Sequence, residues 1–264
     1  MLFGCCVPSK EYKTAEEAGF DFVEFSGAEI AGMSNEEFEQ ACEVVHAGRI
    51  PCLSLNSYCK GTPAIVGAAF DAEAVRTYAE HLCGRAAALG VKMIGIGAPN
   101  ARRLAAGFDS ALADIQCRTF LQITAGVAEA HGLQVNFEQL NPYACEYGTT
   151  TEKVLSLVQD VGAGNLALVV DFYHRALAGE RLCDFTGFQQ LIRHTHISTC
   201  GTDLERGYPD MAELAYYSEI ITSLKAAGYN ETMSIEASTE DLPRQGPEAL
   251  KMLRLADAEN GGRT

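Results

Sequence analysis

Four runs between residues 133 and 236 decide the fold: LQVNFE (133–138), LALVVD (166–171), RHTHIS (193–198) and TMSIE (232–236). Each is short and rich in Leu, Val, Ile or Thr, which reads as a strand. Helical patterns separate them. Thr151 to Val161 follows the first, and a short helical stretch around Phe185 to Leu191 follows the second. Met211 to Ala227, ended by Gly228, follows the third, and Pro247 to Ala258 closes the series. The runs read as apolar on both faces, as parallel strands covered by helices outside and packed by side chains inside would be.

The amino-terminal half has the same alternation. Leu2 to Val7 precedes an amphipathic stretch, Lys10 to Ala18, closed by Gly19. Asp21 to Phe25 precedes a helix opened by Ser34 with Glu37 three positions on, a spacing that lets hydroxyl and carboxylate satisfy free amides reciprocally. Ile50 to Leu55 leads to the helix Asp71 to Leu89. Val91 to Ile96 leads to Asp109 to His131, with Gly132 as its stop. Eight strand–helix units in 264 residues fit a closed (β/α)8 TIM barrel better than an open doubly wound sheet. No linker or break in composition divides the chain, so residues 1–264 read as one domain of α/β class. The tail from Glu259 to Thr264 is expected to fray.

Composition narrows the partners. Hydrophobic residues make up 47% of the chain and only eight are proline, which excludes disordered and collagen-like classes. A net charge of −15, from 20 Lys and Arg against 35 Asp and Glu, argues against nucleic acid and anionic membranes. No run approaches a membrane span. The start MLFGCCVP has no basic region ahead of an apolar run, so a secretory signal is not expected. Ten cysteines without a Cys-x-x-Cys pair read as reduced, buried thiols of a cytoplasmic protein. GIGAPN (95–100) lacks the spacing of a dinucleotide fingerprint, so no nicotinamide cofactor is indicated.

Chemistry in such a barrel sits where strands end at their carboxyl side. Glu138, Asp171, His196 and Glu236 occupy that position on four successive strands. Each acid alone reads as a helix cap or half of a surface ion pair. Together they form an acidic cluster that would repel itself and protonate, and a divalent cation resolves the problem. Three carboxylates and one imidazole suit Mn²⁺ or Mg²⁺, with Co²⁺ or Zn²⁺ also compatible.

These motifs carry a resemblance. The chain resembles the xylose-isomerase-like TIM-barrel superfamily of sugar isomerases and epimerases, ketose 3-epimerases and hydroxypyruvate isomerase included, most clearly from Val135 to Glu236. NFEQLNPY (136–143) is similar to its strand-five motif, LVVDFYH (168–174) to its Asp-x-x-His motif, HTHIS (194–198) to the segment bearing a ligand His, and GYNETMSIEAS (228–238) to its closing Gly-Tyr…Glu motif. The resemblance implies Glu138, Asp171, His196 and Glu236 as ligands of one metal ion, and His174 and Arg206 as substrate contacts. Two departures fall in the substrate-facing loop. The chain reads Ile197-Ser198-Thr199 where the family commonly has an acid shortly after the metal His, and Glu205-Arg206-Gly207-Tyr208-Pro209 without the usual Pro-Gly.

A metal beside two glutamates suits proton abstraction next to a carbonyl, through a metal-stabilised enediolate. Glu138 and Glu236 are the pair for two-face proton exchange. The expectation is a metal-dependent isomerase or epimerase acting on a ketose or related hydroxy-carbonyl compound, its partner a small sugar or sugar phosphate. A dehydratase of the 3-dehydroshikimate type and a non-catalytic sugar-binding or partner barrel are the alternatives. A nuclease of the same superfamily would need more His ligands and a basic surface. Related barrels often pair, so a homo-oligomer is compatible.

Other residues divide between roles. Asn56 in SLNSYC (54–59) is a candidate hydroxyl contact, and Gly97 ends strand four. Glu24 either lines the pocket or is a core acid satisfied by backbone amides. Phe3 and Phe25 form an apolar wall or pack the barrel. His194 points the same way as His196 and reads as a hydrogen-bonded residue one layer deeper. His46, His81 and His131 read as surface residues.

Overall fold

The computed structural model describes residues 1–200 and 204–258, so the tail expected to fray lies outside the described residues. Eight parallel strands close on themselves: β1 (Leu2–Cys6), β2 (Phe22–Ser26), β3 (Cys52–Asn56), β4 (Met93–Ile96), β5 (Gln134–Glu138), β6 (Leu166–Asp171), β7 (Ile192–Ile197) and β8 (Thr232–Ile235), with β8 paired to β1. Each strand pairs with its neighbours in sequence, the order that right-handed crossovers through outer helices produce. A small antiparallel hairpin, Thr199–Cys200 against Arg206–Gly207, projects from the end of β7.

The outer layer holds α1 (Tyr12–Ala18), α2 (Gly27–Gly32), α3 (Asn35–His46), α4 (Ala72–Leu89), α5 (Ser110–Ala130), α6 (Thr151–Val161), α7 (Phe172–Leu177), α8 (Leu214–Ala226) and α9 (Leu242–Ala258). Their ends follow local chemistry. Ser34 and Glu37 cap α3 reciprocally, as their spacing predicts, and Asp71 and Asp109 accept backbone amides at the starts of α4 and α5. Gly19, at φ 91°, closes α1 in the left-handed region that favours glycine.

Two expectations need correction. The helix placed around Phe185 to Leu191 is only a 3₁₀ turn at Gln189–Leu191; the helix after β6 is α7, which starts on the residue after the strand. The last helix begins at Leu242, five residues before Pro247, and carries that proline inside it.

The core is a shell between barrel and helices. Phe3 and Phe25 are buried in it, Phe25 edge-on to Tyr12, so they pack the barrel and do not wall the pocket. The lumen is more polar than runs apolar on both faces would suggest. Glu24, Ser54, Asn136, His194, Thr232 and Ser234 are buried, on the strand faces that also carry the residues of the barrel mouth. Below them the Phe22 ring lies where a side chain on Gly4 would be. The nine cysteines with described side chains are unpaired. Among the described residues no helix is long and apolar enough to cross a membrane.

Candidate metal centre and substrate pocket

Strand register assembles the site. Asp171 pairs with His196 across β6 and β7, and Glu236, one residue beyond β8, donates its N–H to the Ile197 carbonyl at 2.9 Å. Each polar residue therefore reaches the same height at the carboxyl end of the barrel. One ligand atom from each of Glu138, Asp171, His196 and Glu236 lies within 4.8 Å of all the others. His196 Nδ1 is 3.3 Å from Glu138, 3.5 Å from Glu236 and 4.0 Å from Asp171. Donors about 2.0–2.2 Å from a shared ion stand about 3–4.4 Å apart, and the three His196 separations fall in that range.

The cluster gathers like charges. Glu24, Glu138 and Asp171 are buried and Glu236 is half-buried, facing Arg206 and the His194 and His196 rings. Burial and the neighbouring Glu236 push the Glu138 carboxyl above its ordinary value. Burial presses Glu236 the same way, but Arg206 and His196 outweigh it and hold Glu236 well below the usual carboxylate range. Burial would depress His196, yet Glu236 and Glu24 raise it well above an ordinary imidazole.

The surroundings hold the donors in place. His194 Nε2 lies 2.6 Å from Glu24 and its Nδ1 2.7 Å from the Thr232 hydroxyl, with the His196 ring 4.8 Å away. His194 is thus the deeper, hydrogen-bonded residue expected. Among the described residues the Glu24 carboxylate is met by two imidazoles, His194 and His196, and by no backbone amide. Cys6 also comes within 4.8 Å of Glu24 and His196, and burial and the Glu24 charge push its thiol up. Gly97 leaves room for Glu138: a Cβ there would be 2.5 Å from Oε2. Arg102, which sequence reading passed over, is fully buried, stacks on Phe137 and donates to the Glu138 carbonyl at 2.7 Å. Its only sequence signal is a charged residue soon after a strand end.

Arg206 lies across the mouth on the hairpin. Its guanidinium meets Asp171 at 2.6 Å and Glu236 at 2.7 Å and stacks over Tyr173. Asn56 donates to the other Glu236 oxygen at 2.9 Å, so its amide supports that carboxylate. His174 lies in α7, where Asp171 caps the helix by accepting its N–H, and its Nδ1 is 2.7 Å from Asn141 Nδ2. Asp171 thus caps α7 and also faces the other three polar side chains. His46, His81 and His131 are exposed on the outer layer.

A cavity of about 420 Å³ opens onto Glu138, Glu236, Arg206 and His174. Among the described residues the three non-glycines with positive φ, Ser57 (45°), Ala98 (50°) and Leu204 (61°), all line it. Backbone held in such sparsely populated conformations concentrates at functional sites.

The sequence model of the family described as xylose isomerase-like TIM barrel matches residues 12–256. No curated protein matches the chain. Solved structures share the fold at low identity. A D-psicose 3-epimerase in the presence of D-fructose is 17% identical with a TM-score of 0.80, the match covering 97% of this chain and 99% of that one. The 3-keto-D-glucoside 4-epimerase YcjR from E. coli is 18% identical at 0.76, covering 97% and 99%. The IolI protein with a bound zinc atom is 17% identical at 0.70, covering 98% of each.

Proposed function

This chain belongs to the xylose isomerase-like TIM barrel family, and we propose that it is a divalent-metal-dependent isomerase or epimerase of a ketose or related hydroxy-carbonyl compound. The observation that carries the reading is the convergence of Glu138, Asp171, His196 and Glu236 within 4.8 Å of one another at the carboxyl end of the barrel. Three carboxylates and one imidazole favour Mn²⁺ or Mg²⁺. A fold neighbour, the IolI protein, carries a bound zinc atom, which is in keeping with a metal in this chain.

When bound, the cation supplies electrophilic stabilisation of negative charge on the oxygens of adjacent substrate carbons. The protein does the rest. His174 and Arg206 line the cavity, where they would bind and orient hydroxyl and carbonyl oxygens. Glu236, held ionised by Arg206 and steadied by Asn56, takes the carbon-bound proton as general base. Glu138, from a strand three places round the barrel, returns a proton from the other side. Return to the same carbon inverts it; return to its neighbour, with the hydroxyl proton passing to the former carbonyl oxygen, moves the carbonyl by one carbon.

The test is metal analysis of the purified protein together with solvent-deuterium exchange over free and phosphorylated ketoses. Deuterium at a carbon next to the carbonyl, dependent on added divalent metal, is the expected result. A protein that binds no divalent ion and exchanges no ketose proton overturns the reading.

A further inference from the structure

We propose that the substrate cavity continues into an apolar subsite built on Tyr143, which takes an aromatic or other apolar substituent carried by the sugar. The proposal rests on the reading of the donor cluster given above and adds to it the class of sugar derivative.

The cavity is segregated. Glu138, Glu236, Arg206 and His174 supply its polar wall, whereas Leu140, Tyr143, Ala144 and Leu204 supply an apolar one. An unsubstituted ketose carries hydroxyls along its whole carbon chain. Those facing Leu140, Ala144 and Leu204 gain no polar side-chain partner from them, whereas an apolar group laid there removes apolar surface from water. A ligand polar at one end and apolar at the other matches both walls.

Tyr143 is 68% exposed and Leu204 40%. Leaving large apolar side chains in water forfeits the gain from burying them, yet both are held in place. Asn141 Oδ1 accepts the N–H of Tyr143 at 2.9 Å and that of Ala144 at 3.0 Å, fixing the turn that presents the ring. The Asn141 amide reaches His174, so one residue ties the aromatic rim to the polar wall. Leu204 keeps its left-handed backbone while its carbonyl accepts the Tyr173 hydroxyl at 2.6 Å.

The experiment compares binding of two matched pairs, 1-O-benzyl- against 1-O-methyl-D-fructose and 6-O-benzyl- against 6-O-methyl-D-fructose, by calorimetry in the presence of Mn²⁺. In at least one pair the benzyl ether is expected to bind about tenfold more tightly, the scale of one aromatic contact plus the area it buries. Tyr143→Ala should bring that ratio to about one, and Tyr143→Phe should keep it. Equal binding within both pairs, or a ratio that survives Tyr143→Ala, overturns the proposal. So does a change in oligomeric mass on Tyr143→Ala, which would assign the rim to a second copy of the chain. The readout is binding, so absence of proton exchange would sink the proposed reaction and leave this ratio readable.

Discussion

Glu24 Oε1 lies 3.3 Å from His196 Nε2, on the side of the ring away from the three carboxylates that face Nδ1. An imidazole that gives one N–H to a buried carboxylate is fixed in tautomer and orientation, and its other nitrogen is the better donor for it. Glu24 on β2 therefore positions a residue of β7 from across the barrel. Glu24→Ala is expected to weaken divalent-metal binding by about 10- to 100-fold, read by competition with a chromogenic chelator. Glu24→Gln, which keeps an acceptor, should recover part of the loss. Wild-type affinity in the alanine variant would show that Glu24 does not set the ring.

Glu138→Gln and Glu236→Gln test the proton carriers. Glutamine keeps the shape of glutamate and cannot exchange a carbon-bound proton. Each variant is expected to lower solvent-deuterium incorporation into a ketose by about 10²- to 10⁴-fold with its circular dichroism unchanged. Metal occupancy measured on the same samples separates loss of the carrier from loss of the ion. Wild-type exchange in either variant would remove that glutamate from the mechanism.

Gly97 gives a test that changes no charge. Its backbone is in an ordinary conformation, so alanine adds no backbone strain there. The added Cβ would instead stand 2.5 Å from Glu138 Oε2 and push that carboxylate out of the cluster. Gly97→Ala is expected to lose about tenfold or more in metal affinity, since misplacing one donor by about 1 Å breaks the shared geometry. Its thermal midpoint should stay near wild type. Unchanged metal affinity would mean that Glu138 has another rotamer equally able to bind.

The barrel and the convergence of four polar side chains at its mouth were legible because each depends on a local pattern. Strand runs ending in Glu138, Asp171, His196 and Glu236 need only alternation and order to bring them to one rim. What escaped depends on long-range or compressed geometry. α7 starts directly after β6, with Asp171 serving as strand end and helix cap at once, so no turn signal marks it. α2 is six residues long with glycine at both ends, a composition that argues against a helix. Glu24 was visible as a strand end, but its partners are 170 and 172 residues away. The Arg206 bridge to Asp171 and Glu236 depends on a hairpin whose strands are two residues each, too short to show a period.

Away from the site, Asp114 of α5 gives a pH test. It meets Lys153 of α6 at 2.5 Å and accepts the Tyr147 hydroxyl at 2.7 Å, joining adjacent helices. Burial pushes its carboxyl up, but Lys153 and Tyr147 pull harder and leave it below the ordinary value of 3.8. A carboxyl depressed by folding adds stability that is fully present above its unfolded pKa and is lost as pH falls through the folded one. Asp114→Asn keeps an acceptor for Tyr147 and loses the charge. Urea unfolding should put the variant about 1 kcal/mol below wild type near pH 7, the scale of one partly exposed, hydrogen-bonded ion pair. The gap should narrow once the pH drops below about 4, and it should also shrink in about 1 M salt, where exposed charges are screened. A gap of the same size on both sides of pH 4 would mean that Asp114 joins the helices through its shape and not its charge.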